Sequence, residues 1–584
     1  MTTEQKLSYY INKAAELEKL SFEKKIRIAL LGSFTLNGLA ETLAVKCAEK
    51  NIQCATYVGG YNQYNQEILN HGSSLYKFKP DISFLLIDTR TLFGDLFHHP
   101  YSITAEERKT IVEKKSEEIL TLAKGFCDKT RSKLILSNFD IPSFSPYGIF
   151  ENKVDYGFHE MILELNDKLS KSLLGSDSIF LYNFAGFVSK YGEQNIFDYK
   201  QFFFGDMKIA LDYIPHLAND LMSYIIGYMG ISKKCIVVDL DNTLWGGIIG
   251  EDGFNGIKLG PEPPGNAYME FQKTLLSLNH RGIILAINSK NNYEDAIRVI
   301  KEHPYMVLKE DHFGCMRINW NDKVSNMREI ANELNIGLDS MVFLDDDPVN
   351  REFMKVSLPQ VLTADLSQDP SQYANIVKNM NEFSVFTITN EDQQRGKMYA
   401  EQRKRDELEQ AAPDLENFLK QLDLKISVKG SNDFTIPRIS QLTLKTNQFN
   451  LTTKRYQESD IRKFTGDPNY FIGCVQVEDK FGDNGITGVF IVHKENQKEW
   501  LVDTFLLSCR VMGREVEKGI LGHILSIAKK NGVERLKAQY IPSQKNKPIE
   551  DFLPSCGFQK DGDYWVYSIK TPFIVPDCIT VRAE

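Results

Sequence analysis

The sequence predicts an α/β protein of three successive domains, two built on mostly parallel sheets and a third of α+β type. Three observations carry this reading. At 584 residues the chain is too long for a single hydrophobic core. Through its first two-thirds, short apolar runs alternate with helical stretches, the pattern of βαβ units whose strands pair in parallel. Beyond residue 424 the strands alternate apolar and polar positions and follow one another closely, as in an antiparallel meander. The expected domains are 1–230, 231–385 and 424–584, with a helical linker over 386–423.

Composition narrows the function. Hydrophobic content of 42% and charged content of 25% are ordinary for a globular protein. A net charge of −9 without a long basic run excludes a general nucleic-acid binder. No uninterrupted apolar stretch is long enough to cross a bilayer, and the first residues lack a signal-peptide core, so no membrane role is expected. Nine cysteines without tight spacing fit a reducing cytoplasm better than a disulfide framework or zinc site.

In the first domain, IRIALLGSFTL (26–36) reads as a strand entering a small-residue turn, followed by a helix to about Lys50. QCATYVGG and ISFLLIDTR are the next strands, and a helix spans about Ala105–Phe126. KLILSNFDIP and SIFLYNFAGFVSKYG repeat the alternation. Ser33 after the first strand, with Asn138, Asp212 and His216 later, loosely resembles the SGNH-type esterases. That family spaces its last acid and base as D-x-x-H, whereas Asp212 and His216 lie one residue further apart. A serine after a first strand also serves as a helix cap. The expectation is an SGNH-like structural or docking domain without an active serine.

The middle domain holds the densest chemistry. Ile236-Val237-Val238 reads as a buried parallel strand that delivers Asp239 and Asp241, then Thr243 and Gly246-Gly247, at its carboxyl end. Open α/β sheets hold their ligands at that edge. After the loop KLGPEPPGN comes a helix from about Ala267 to His280, then the strand GIILAINSKNN ending in Asn288-Ser289-Lys290. Beyond a further helix lie Tyr305–Leu308, the turn DHFG, and a helix opening on Lys323. A last strand, SMVFLDDDP, ends in Asp345-Asp346-Asp347.

This set suits phosphoryl transfer, where catalysis is mainly positioning and electrostatic stabilisation. Mg²⁺ prefers oxygen ligands and takes one or two carboxylates with water and a substrate phosphate. The expected ligands are Asp239, Asp241 and Asp346. Asp239 would attack phosphorus, and Asp241 would protonate the leaving oxygen and later deprotonate water. Thr243, Ser289 and Lys323 would bind the phosphate.

These motifs resemble the haloacid dehalogenase superfamily, whose four motifs map onto Asp239/Asp241/Thr243, Ser289, Lys323 and Asp345/Asp346. More narrowly, DLDNTLWGGIIGEDG, SKNN, RINWNDK and FLDDDP resemble the FkbH-like proteins. That resemblance implies a phosphatase/glyceryltransferase of polyketide biosynthesis. Such an enzyme takes 1,3-bisphosphoglycerate, removes phosphate and loads the glyceryl unit onto the phosphopantetheine thiol of an acyl carrier protein. One departure stands out: relatives often read Cys-Ser-Lys-Asn at the second motif, and here Asn288 precedes Ser289. A cysteine acyl carrier at that position is therefore ruled out.

The run 390–411 is charged with helical spacing and reads as a solvated connecting helix ending before Pro413. KISVKG, YFIGCVQVED, ITGVFIVHKE and EWLVDTFLLSC are strands, with FGDNG as a hairpin signal. RVMGREVEKGILGHILSIAKKNG is a turn opening a helix, ERLKAQYIP a further strand, and NKPIEDFLPSCGF a short helix. The arrangement resembles GNAT acyltransferases, whose R/Q-x-x-G-x-G/A loop cradles a pyrophosphate on a helix N-terminus. Here Glu515 replaces the third small residue, which disfavours intact coenzyme A but suits a phosphopantetheine arm.

In a GNAT-like domain the strand that Cys509 ends lies beside the pantetheine arm. Arg510 and Arg514 nearby, with the helix N-terminus, favour its thiolate, so Cys509 is the candidate acyl relay. Cys315, read in the turn FGCMRINW, is its competitor, and plain packing is the third possibility. Arg510, Gly513 and Arg514, with Lys445, Asn447 and Asn450 of the polar stretch Gln441–Tyr456, are the expected contacts for the carrier and its arm. The alternatives are a phosphatase or acyltransferase acting on another phosphorylated substrate, or a carrier-docking protein with little catalysis.

Overall fold

In the computed structural model, residues 5–17, 20–394 and 412–583 are described, with Met398, Gln402, Arg405, Leu408 and Glu409 between the last two spans. The rest of the charged run lies outside the described residues. The chain packs as two units, one reaching to residue 225 and one starting at residue 226.

In the first unit the apolar runs become strands β1 (Lys24–Gly32), β2 (Ile52–Val58), β3 (Ile82–Leu86), β4 (Lys133–Ser137) and β5 (Ile179–Tyr182). All pair in parallel in the order β2-β1-β3-β4-β5. Strands β3 and β4 are buried at every position, which is why they read as largely apolar runs. Helix Ala105–Cys127 opens on a capping box, Thr104 with Glu107, and buries Val112, Ile119, Ala123 and Phe126. Ser33 is buried, and its Oγ accepts the Asp88 N–H at 2.8 Å. The His216 ring lies against Tyr191 and Tyr213, at 5.0 and 5.7 Å between centroids. Beyond the ends of β3 and β4, Asp88 and Asp140 share the buried ammonium of Lys208, with Lys208 Nζ 3.1 Å from Asp140.

The second unit holds two sheets. The first comprises β6 (Cys235–Val238), β7 (Ile284–Ser289), β8 (Phe313–Ile318), β9 (Met341–Leu344) and β10 (Leu362–Thr363), all parallel in the order β10-β9-β6-β7-β8. Central β6 sends Ile236 and Val238 into one core and Cys235 and Val237 into the other. The expected turn DHFG in fact runs into edge strand β8, while Tyr305–Leu308 is irregular. Gly314 and the polar Arg317 hide the strand's apolar pattern from a reading of the sequence.

The second sheet comprises β11 (Leu424–Gly430), β12 (Phe449–Asn450), β13 (Tyr470–Asp479), β14 (Gly482–His493), β15 (Glu499–Leu507), β16 (Arg535–Ala538), β17 (Gln559–Asp561), β18 (Tyr564–Ser568) and β19 (Ile579–Ala583). Its order is β17-β18-β16-β15-β14-β13-β11-β19, with β12 on β15. The hairpin between β13 and β14 turns at Lys480-Phe481, at the start of the FGDNG segment, because Asp479 pairs directly with Gly482. Strands β15 and β16 are parallel and joined by helix Val516–Lys530, which buries Ile520, Leu521 and Ile524. They pair only over Glu499–Val502, and further along the same flank β12 covers Leu506 and Leu507. This is the GNAT-like layout, with the diverging strand edge filled by the chain itself.

The charged run is not wholly solvated. Arg405 is 1% exposed and grips Asp479 with two hydrogen bonds of 2.7 and 2.9 Å. Met398 is buried as well. Acidic and basic residues with helical spacing suggested a face in water, but a bidentate pair satisfies the buried charge.

The Lys208 cluster yields a prediction. Burial works against the lysine's charge, but Asp140 and Asp88 outweigh it and raise its pKa. Stability from a cation with a raised pKa is present below the unfolded value and lost only in strongly alkaline solution. Lys208→Met should therefore cost about 3–5 kcal/mol, since two buried carboxylates lose their counter-ion. Denaturant unfolding should show this loss at about pH 8 and a smaller one at lower pH, where a carboxylate left without its cation takes up a proton.

Candidate active site

Three strand ends deliver the central site. Asp239 leaves β6 with its N–H on the Leu344 carbonyl at 3.0 Å, which fixes it beside the end of β9. The chain then coils tightly: the N–H groups of Thr243 and Leu244 both reach the Leu240 carbonyl, and Asn242 takes a left-handed φ of 53°. Lys323, the first residue of helix Lys323–Glu333, is buried with its ammonium 2.8 Å from Asp239 and 2.6 Å from Asp345. Burial opposes that charge, yet Asp239 and Asp345 prevail and raise the lysine's pKa.

Asp241 is held by three donors: Trp245 Nε1 at 2.8 Å, the Ile249 N–H at 3.1 Å and Asn291 Nδ2 at 3.0 Å. Burial nonetheless raises its pKa above the ordinary carboxylate range, and Asp239 adds to the effect. A carboxyl so placed suits proton transfer. Asn291 also reaches Ser289 Oγ at 3.2 Å, linking the ends of β6 and β7. Buried Asn288 donates to the Lys323 carbonyl at 2.8 Å and accepts from Asn326 at 3.2 Å. The residue standing where relatives carry cysteine thus anchors the helix that presents the lysine.

Two expected roles change. Thr243 is fully buried, and its hydroxyl exchanges hydrogen bonds of 3.1 and 3.2 Å with Asp346, so it orients that carboxylate instead of facing a phosphate. The acids whose oxygens converge are Asp239, Asp345 and Asp346, all within 4.8 Å of one another, and Asp241 is not in the group. Its oxygens serve the three donors above.

The convergent set fits a hard divalent cation. Asp239 Oδ1 is buried without a hydrogen-bond partner among the described residues, an arrangement that a cation would relieve. Asp346 has its pKa raised to about 6 by burial and by the charges of Asp239 and Asp345, which marks the excess negative charge there.

Four of the remaining expected residues collect elsewhere, around a cavity of about 310 Å³ between the two sheets of this unit. Cys509, Arg510, Lys445 and Asn447 line it from the carboxyl-terminal sheet, and Lys234, Asn335 and Asp339 from the other. Cys509 is half-buried in a short turn after β15, and its carbonyl accepts Asn335 Nδ2 at 2.7 Å. Its competitor Cys315 lies fully buried on β8, beneath the core. Gly513 takes a left-handed φ of 77°, and so does Glu515, at 62°, where the helix begins.

Two residues expected at the arm turn inward. Arg514 donates to Gln402 at 2.7 Å and faces Asp479 at 3.4 Å. Asn450 is fully buried, its side chain bonded to Thr446, Thr452 and Thr453, and as part of β12 it covers the strand edge assigned to the pantetheine arm. Sequence reasoning missed Asn291 as a site residue and placed Asp345 in the fourth motif without counting it among the metal ligands. SKNN and DDDP display both, but which of several adjacent polar groups turns inward depends on the turn geometry.

Comparison with known proteins follows these divisions. Residues 27–226 match the FkbH N-terminal domain family. The crystal structure of the N-terminal part of the protein BF1531 from Bacteroides fragilis, containing a phosphatase domain complexed with Mg, is similar at 30% identity with a TM-score of 0.60. The match covers 66% of this chain and 100% of that one. A putative GNAT-family acetyltransferase from Desulfovibrio desulfuricans aligns at 10% identity over 25% of this chain and 99% of its own, with a TM-score of 0.21. The ribosomal-protein-S18-alanine N-acetyltransferase from Escherichia coli aligns at 11% over 25% and 96%, with the same score. At that score neither acetyltransferase bears on chemistry. No curated protein matches the sequence.

The convergent carboxylates should report cation binding without any assay of turnover. Saturating Mg²⁺ should raise stability by about 1–3 kcal/mol in thermal unfolding. Asp346→Asn should abolish most of that gain.

Proposed function

Because the chain belongs to the FkbH-like family of haloacid dehalogenase-type phosphatases, we propose that it cleaves a phosphorylated three-carbon acid and loads the acyl unit onto a carrier protein. The donor in this reading is 1,3-bisphosphoglycerate and the acceptor is the phosphopantetheine thiol of an acyl carrier protein. The observation that carries the phosphatase half is the pairing of Asp239 with buried Lys323, beside an Asp241 carboxyl fixed by three donors.

The chemistry follows from those positions. The Asp239 carboxylate attacks phosphorus, an O–P bond forms, and the ester oxygen leaves with the electron pair. Asp241, as general acid, gives a proton to the departing oxygen. Water then attacks the phosphorus, Asp241 takes its proton, and Asp239 is restored as phosphate departs. Ser289 and Lys323 hold the phosphate oxygens throughout, while Asn291 keeps Asp241 in line. Mg²⁺ held by Asp239, Asp345 and Asp346 supplies positive charge to the phosphate when bound.

The acyl half rests on Cys509. Its place in a cavity with Arg510, Lys445 and Asn447, next to the Gly513 turn, supports a thiol that receives an acyl group beside an anionic arm. Arg514 and Asn450 then act as supports of that wall.

Asp239→Asn should lower turnover of a phosphate monoester by roughly 10⁴-fold, measured as phosphate release. Intact-mass analysis after mixing enzyme, Mg²⁺, a bisphosphoglycerate-generating system and holo-carrier should find a glyceryl adduct on the carrier. An unmodified carrier would sink the transfer reaction. A normal carrier product from Cys509→Ala would remove the relay and leave the transfer standing.

A further inference from the structure

In the proposed reaction Asp241 protonates the leaving oxygen, so the organic part of the ester lies on that carboxyl's side of the phosphorus. An in-line displacement also points it away from Asp239. The residues around Asp241 therefore decide what body the ester can carry.

Three large apolar side chains stand exposed there. Ile248, 40% exposed, precedes Ile249, whose N–H holds Asp241. Tyr293, 44% exposed, opens the helix that follows Asn291 and Asn292, and Asn291 holds the same carboxyl. Trp320, 71% exposed, comes from the turn after β8 and donates its indole N–H to Asn292 Oδ1 at 3.1 Å. Helix Ile249–Asp252 packs against helix Tyr293–Glu302, which brings the first two together.

The turn that carries Trp320 is fixed. The Asn319 N–H reaches the Ser289 carbonyl at 3.1 Å. Asn319 Oδ1 accepts from Asn326 Nδ2 and from the Asn321 N–H, both at 3.0 Å. Single exposed apolar residues need no explanation, but three around one carboxyl, with an indole tethered in water, form a contact surface.

The charge of this rim narrows the ligand. Segments 248–252, 289–295 and 319–323 contain five carboxylates, Glu251, Asp252, Glu294, Asp295 and Asp322, and two lysines. None of the five forms an ion pair among the described residues. One of the lysines, Lys323, is already paired with Asp239 and Asp345, which leaves Lys290. An anionic group near the ester oxygen would meet mostly acids here.

We propose that Trp320, with Tyr293 and Ile248, forms a leaving-group subsite that selects phosphate monoesters whose organic body is uncharged and flat or extended. The indole lies along that body. This rests on the phosphatase reading of Asp239 and Asp241. In the proposed reaction the condition is met when the carboxyl end of the three-carbon unit carries no charge. The bond cleaved is the ester O–P bond already described, and water is the other reactant.

The test measures phosphate release by the full chain with Mg²⁺ from three alkyl esters, benzyl phosphate, glycerol 3-phosphate and 3-phosphoglycerate. Wild-type kcat/KM should be roughly tenfold higher for benzyl phosphate than for 3-phosphoglycerate. Trp320→Ala should cut the preference for benzyl phosphate over glycerol 3-phosphate about tenfold, through KM, and Trp320→Phe should restore most of it. Benzylphosphonate, which cannot be hydrolysed, should bind Trp320→Ala about tenfold more weakly by calorimetry, with the Mg²⁺-dependent thermal shift intact. An unchanged preference in Trp320→Ala, or a wild type that favours 3-phosphoglycerate, would overturn the subsite and leave the phosphatase reading standing. A wild type that hydrolyses none of the three would overturn both.

Discussion

The second unit depends on one buried ammonium. Lys323 stands between Asp239 and Asp345, and without it three convergent carboxylates would lose the ammonium that pairs with two of them. Truncating one partner of such a cluster is costly because the others stay buried. The lysine is in turn fixed by elements on both sides. Asp322 caps its helix through the Ser325 N–H, and Asn288 of β7 pins its carbonyl. Strand β7 therefore controls the charge at β6 and β9 without touching it directly.

The two sheets of this unit share more than a surface. The amino edge of the phosphatase sheet forms one wall of the Cys509 cavity, and the carboxyl edge holds the acids. A parallel sheet has two chemically distinct rims, and the strands of this one keep the cavity and the acids at separate edges.

Much of this was legible in the sequence, for reasons tied to particular residues. β6, β7 and β9 are apolar runs buried on both faces, and each announces its end with a polar group: Asp239, Ser289 or Asp345. Lys323 was legible because it opens an amphipathic helix. What escaped was set by contacts between segments distant in sequence. Arg405 looked like part of a wet charged run until Asp479, from a hairpin far along the chain, took up its charge. Asn450 and Arg514 had the composition of ligand contacts, yet the first lies in a two-residue strand and the second points at Asp479. Strand β8 was hidden by its glycine and arginine. Polar residues advertise hydrogen bonding in sequence, but not whether the partner is a ligand or the protein itself.

Strand β12 carries a consequence for recognition. Phe449 and Asn450 pair with Leu507 and Leu506 on the flank that β16 has left, so the backbone groups there are already engaged. A slender substrate cannot lie along β15 as an added strand and be read throughout its length. Only its tip can approach Cys509, from the cavity beyond the strand's end. In the proposed reaction, selection among thiol-bearing arms would then fall to reach and to the surface around the cavity mouth, so that the length of a partner's arm would count for more than its make-up along the way.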